Sequence, residues 1–138
     1  MKYLIDTNIF LRILTRDNEK SFKECVELIE AIKSGIVDAI TTTMVVAEVV
    51  WTLESFYRVN KSEVVTVVRD MVTTNGLKVI DGYGTIEALD LYNTNNIKFV
   101  DCLLASIPQV QKKEWAIISY DKEFDKLKII RKEPGDVI

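Results

Sequence analysis

Short apolar runs alternate along this chain with longer stretches in which apolar residues recur at helical spacing. Residues 2–5 predict a buried strand that ends at Asp6-Thr7-Asn8, and Ile9 to Leu14 predict a helical turn or helix start. Asp17 or Asn18 can cap a second helix carrying Phe22, Val26, Leu28, Ile29 and Ile32 on its apolar side, with Gly35 as its stop. Ile36 to Thr41 predict a second strand. Thr42 or Thr43 can cap a helix through Val45, Val49, Leu53 and Phe56, and Asn60-Lys61-Ser62-Glu63 opens another that runs to about Thr74. After Asn75-Gly76, Leu77 to Ile80 predict a third strand.

The rest of the chain repeats the alternation. A helix over 85–94 gives way to a polar turn at Asn95-Asn96, and Asp101 opens a further helical segment. Ala116 to Ser119 predict a fourth strand, Asp121 starts a short helix through Leu127, and Lys128 to Arg131 predict a fifth strand before a Pro134-Gly135 turn. Pro108 falls within the helix expected after Asp101, where it predicts a bend or an early stop. Strands alternating with helices predict an α/β protein with a mainly parallel sheet, whose ligands sit at the carboxyl ends of the strands. Asp6 and Asp121 both fall there.

Composition narrows the chemistry. With 138 residues, 48% hydrophobic and 28% charged, the chain suits one globular domain. Asp6 interrupts any apolar run before it could serve as a signal peptide, and no uncharged stretch approaches the roughly 20 residues that span a bilayer. A soluble, cytoplasmic protein without a membrane partner is expected. Cys25 and Cys102 form no C-x-x-C motif and are read as buried free thiols. There is no histidine, which removes Ser-His and Cys-His triads, His-ligated zinc and any imidazole base. The net charge of −3 argues against a passive nucleic-acid coat but not against an enzyme that brings divalent cations to its substrate.

Four carboxylates then stand out. Asp6 follows an apolar strand; it can be a helix cap, but Thr7 and Asn8 can also cap and leave it free to point across the sheet edge. Glu48 is the only charged residue between Ala39 and Leu53, on a helix otherwise fit for burial, so it needs a cation, a hydrogen-bond network or a metal unless it lies on a narrow polar edge. Asp101 is likewise a single charge in an apolar segment, and Asp121 follows a strand in Ser119-Tyr120-Asp121; a plain cap is open for each. Asp125 lies one turn further on. Convergent carboxylates repel one another, and a hard divalent ion such as Mg2+ or Mn2+ resolves that conflict and can activate water against a phosphodiester.

Tyr3-Leu4-Ile5-Asp6-Thr7-Asn8, Glu48 in Val46-Ala47-Glu48-Val49, Asp101 in Phe99-Val100-Asp101-Cys102-Leu103-Leu104-Ala105, and Ser119-Tyr120-Asp121-Lys122-Glu123-Phe124-Asp125 carry a family resemblance. In their order and spacing the chain resembles the PIN-domain nucleases, and among them the VapC-type toxins of toxin–antitoxin systems. The resemblance implies a three-layer α/β/α sandwich with a parallel sheet of strand order 3-2-1-4-5. It implies Asp6, Glu48, Asp101 and Asp121 as catalytic ligands of one or two Mg2+ or Mn2+ ions, with Asn8, Ser119 and Asp125 in support. It further implies an RNA substrate, a homodimer and silencing by a small antitoxin protein.

Arg12 and Arg16, four apart and on one face if their helix continues, and Lys122 are candidate phosphate contacts, as are Lys112, Lys113 and Lys126. Trp51, Tyr57 and Tyr92 could stack on bases or pack in a dimer, with core or interface packing favoured for Trp51. A phosphatase of the haloacid-dehalogenase type would need a second Asp where Asn8 stands; a receiver domain would need paired acids before the first helix and a Lys after a late strand, and Ser119-Tyr120-Asp121 offers neither. A catalytically silent PIN-like module binding RNA or protein is the remaining alternative.

Overall fold

In a computed structural model describing residues 1–138, five short strands form one all-parallel sheet. They are β1 (Lys2–Ile5), β2 (Ala39–Thr41), β3 (Leu77–Val79), β4 (Trp115–Ile118) and β5 (Arg131–Lys132), ordered β3-β2-β1-β4-β5. Leu4 pairs with Ile40 on one side and Ile117 on the other, and none of the three is exposed. Strands covered on both faces read as continuous apolar runs, which is why the short segments stood out.

Seven helices connect the strands: α1 (Thr7–Thr15), α2 (Glu19–Lys33), α3 (Thr43–Ser55), α4 (Lys61–Val72), α5 (Thr85–Thr94), α6 (Phe99–Ala105) and α7 (Pro108–Gln111). Right-handed crossovers place α1 to α4 on one face of the sheet and α5 to α7 on the other. The result is the expected three-layer sandwich. A 29-residue apolar cluster fills it, including Cys25 and Cys102, both free and buried as expected. No helix is long and apolar enough to cross a membrane.

Several caps fall where the sequence put them. Asn18, Thr42 and Asn60 accept from the backbone N–H groups of Ser21, Val45 and Glu63. Other boundaries moved. The second strand begins at Ala39 rather than Ile36, because Gly35 takes a left-handed turn and Ile36 is exposed. The fifth strand lies at Arg131–Lys132, not 128–131, since its register is set by pairing with Ile117 and Ile118. Helix α6 starts at Phe99, two residues before Asp101. It ends at Ala105, and Pro108 opens α7 at a first-turn position where its missing N–H costs no hydrogen bond. The early stop expected from Pro108 is therefore observed.

Between β1 and β4 the strand order reverses direction, which opens a crevice at their carboxyl ends. Asp6 leaves β1 and Ser119 leaves β4 at that point.

Candidate active site

Ser119 is the hub of the crevice. Its hydroxyl donates to Oδ2 of Asp6 at 2.7 Å and accepts from Nδ2 of Asn8 at 2.9 Å and from the backbone N–H of Asp121 at 3.0 Å. One proton and two lone pairs are thus all used, which fixes the hydroxyl's orientation. Asn8 also donates to Oδ2 of Asp6 at 3.3 Å and accepts from the backbone N–H of Tyr120 at 3.2 Å, tying α1 to the end of β4.

Asp6 does cap α1, contrary to the expectation that Thr7 or Asn8 would free it: Oδ1 accepts from the N–H of Thr7 at 2.8 Å. A carboxylate has two oxygens, so capping with one leaves the other turned toward Ser119 and Asn8. Burial raises the Asp6 pKa to about 6, against the hydrogen bonds from Ser119 and Thr7, and the charges of Glu48 and Asp121 add to the rise.

Half-buried Glu48 lies in the second turn of α3, where Oε1 accepts from the Thr7 hydroxyl at 2.7 Å. Thr7 therefore links the two carboxylates, donating its backbone N–H to Asp6 and its hydroxyl to Glu48. Asp121 caps the 3-10 turn Lys122–Lys126 by accepting from the N–H of Glu123 at 2.9 Å. Asp101, in the first turn of α6, is only 3% exposed, and its Oδ2 has no hydrogen-bond partner. Burial lifts its pKa to about 7; the charge of Asp6 raises it further, Lys98 opposes, and Asp121 and Glu48 add smaller increments.

The four acids influence one another electrostatically, and none takes part in the seven ion pairs of the protein. No three acidic or cysteine side chains stand close enough to form a closed metal cage. Mg2+ needs no such cage, because it keeps several waters and is usually held by one or two carboxylates. The buried, unpartnered Oδ2 of Asp101 is an oxygen donor of the kind a hard divalent ion satisfies.

Asp125 pairs with Arg131, Oδ1 to Nε at 2.9 Å and Oδ2 to Nη2 at 3.2 Å. Arg131 in turn donates from Nη1 to the carbonyl of Ser119 at 2.9 Å and to Glu133 at 3.0 Å. Sequence reasoning missed Arg131 and Thr7. Nothing marked Arg131, since its role depends on the register of a two-residue strand; Thr7 was considered only as a rival cap.

The basic candidates divide. Arg12 stacks over the Tyr120 ring at 5.5 Å near the crevice, and exposed Lys122 follows Asp121 directly. Arg16 does not share a face with Arg12 on a continuing helix: α1 stops at Thr15, and Arg16 turns left-handed to pair with Glu19 at 2.7 Å. Lys112 and Lys113 do not flank Asp121 either, because they precede β4 and so lie at its opposite end. Trp51 is 56% exposed, outside the core, Tyr57 donates to Asp17, and Tyr92 is half exposed.

The PIN domain family model matches residues 3–130. Among solved structures, DNA-bound VapBC from Salmonella typhimurium aligns with a TM-score of 0.72 at 13% identity, over 97% of this chain and 98% of that one. VapC20 from Mycobacterium tuberculosis, described as a sarcin-ricin loop cleaving toxin, aligns with a TM-score of 0.71 at 12% identity, over 93% and 96%. VapBC2 from Rickettsia felis, bound to a promoter DNA fragment, aligns with a TM-score of 0.67 at 15% identity, over 96% and 98%. No curated protein matches the chain in sequence. With a family match spanning nearly its whole length and the sheet order the structure displays, this chain belongs to the PIN domain family.

Proposed function

We propose that this protein is a metal-dependent endoribonuclease that hydrolyses RNA phosphodiester bonds and serves as the toxin of a toxin–antitoxin pair. The observation that carries the reading is the buried Oδ2 of Asp101, which has no hydrogen-bond partner and feels the charges of three further carboxylates, none of them in an ion pair. Family membership and the likeness in fold to VapC and VapBC structures support it.

On this reading Asp6, Glu48, Asp101 and Asp121 would hold one or two Mg2+ or Mn2+ ions, which would supply Lewis acidity to activate a water and stabilise the departing oxygen. The chain's own residues prepare the site. Ser119 and Asn8 fix the free oxygen of Asp6, and Thr7 fixes Glu48 from the adjoining turn. Asp125 supports the site at one remove, by holding the arginine that holds Ser119. Asp6 and Asp101, with pKa values raised to about 6 and 7, would have to give up their remaining protons to act as ligands. Arg12 and Lys122 bear on the phosphate backbone. A homodimer silenced by an antitoxin in the cytoplasm completes the proposal.

Titration calorimetry with Mn2+ tests the site, and induced expression in bacteria tests the toxin role. Wild type should bind Mn2+ and arrest growth, while Asp101→Asn should do neither. Wild type that binds no metal and leaves growth unchanged would favour a catalytically silent module.

A further inference from the structure

A groove of about 1030 Å³ runs beside Asp101, between the end of α5 and the 3-10 turn after Asp121. Its wall joins Tyr92, Asn93, Asn96, Lys98 and Lys126 to the same Asp101 carboxyl that stands among the four acids. Tyr92 is 52% exposed yet braced, its ring meeting that of Phe99 edge-to-face at 5.6 Å. A braced, exposed aromatic loses little freedom when a planar group stacks on it. Asn95 spends its amide on the Leu91 carbonyl, whereas Asn93 and Asn96 present exposed amides at the groove. Amides supply both donors and acceptors, the chemistry that reads a base edge. Lys98 lies near enough to Asp101 to oppose its pKa rise, and Lys126 is paired to Glu123 at 2.5 Å.

We propose that this groove is a nucleotide subsite for single-stranded RNA, in which Tyr92 stacks on an unpaired base beside the bond cut at the carboxylates. Asn93 and Asn96 contact the edge of that base, and Lys98 bears on the backbone. The assignment rests on the ribonuclease reading. Stacking needs a base free of its pairing partner, so the subsite selects loops and unpaired segments over duplex.

The test is fluorescence anisotropy of wild type, Tyr92→Ala, Tyr92→Phe and Asn96→Ala with labelled mixed-sequence RNA. Single-stranded and duplex probes of equal length are compared in Ca2+, with cleavage in Mn2+ run in parallel. Tyr92→Ala should weaken single-strand binding roughly tenfold, as loss of one base stack does, with Tyr92→Phe close to wild type. Asn96→Ala should weaken it less, and duplex binding should not respond. If wild type binds and cuts but the Tyr92 and Asn96 variants match it, the subsite is wrong and the nuclease reading stands. A Tyr92→Ala protein altered in oligomeric state but not in RNA binding would make Tyr92 a contact between copies instead and overturn the subsite. If wild type neither binds nor cuts RNA, both fall together.

Discussion

Arg131 donates through Nη1 to the backbone carbonyl of Ser119 at 2.9 Å, so a side chain on the sheet's edge strand holds the residue that orients Asp6. The guanidinium is fixed on its far side by Asp125 and Glu133 and is largely buried. Arg131→Ala should lower the cleavage rate about tenfold or more with little change in KM, because the substrate groove is left intact. It should also cost about 1–3 kcal/mol of stability in urea denaturation, as loss of charge-assisted hydrogen bonds does. Asp125→Ala should show a weaker form of both effects, since Glu133 remains.

The raised pKa values of Asp6 and Asp101 predict how the metal-free protein responds to pH. An aspartate of ordinary pKa near 3.9 when unfolded that titrates near 6 or 7 when folded binds its proton more tightly in the folded state. The folded state then carries more protons between those values, so the stability these two groups contribute is full below about pH 4 and is lost as pH rises through 6 and 7. In EDTA, the melting temperature should fall across that window. Asp101→Asn, which removes the charge, should flatten the upper part of the fall and melt higher than wild type at pH 8.

Divalent metal should reverse that ranking. At pH 8, Mg2+ or Mn2+ should raise the wild-type melting temperature and leave Asp101→Asn nearly unmoved, since only the former retains the full donor set. A common shift in both proteins would place the metal elsewhere.

Gly76 tests the fold apart from the site. It has a φ of +84°, and a Cβ there would run into the backbone carbonyl of Ile32. Gly76→Ala should cost about 2 kcal/mol or more, read by denaturant unfolding, from left-handed strain added to a backbone clash.

How much of this was legible in the sequence followed from whether the signal was local. Leu4-Ile5 and Ala116-Ile117-Ile118 announced buried parallel strands because both of their faces are covered. Asp6 and Asp121 followed from where those strands ended, and Glu48 from being a lone charge on an apolar helix. The Asp6 cap was misjudged because capping and site duty were treated as alternatives, although its two oxygens serve both. Lys112 and Lys113 were placed near Asp121 by proximity in sequence, while a strand of four residues separates them by roughly 13 Å at about 3.3 Å per residue. The Arg131–Asp125 pair and the hub role of Ser119 were out of reach, because both depend on how β5 registers against β4 and how α1 meets the end of β4.

The central claim is most directly tested by incubating purified protein with a mixed single-stranded RNA pool in Mg2+ or Mn2+, wild type beside Asp6→Asn and Asp101→Asn. Metal-dependent cutting by wild type that EDTA stops and both substitutions abolish is the predicted result. Equal cutting by all three proteins, or none by a wild type that binds the metal and the RNA, would contradict it.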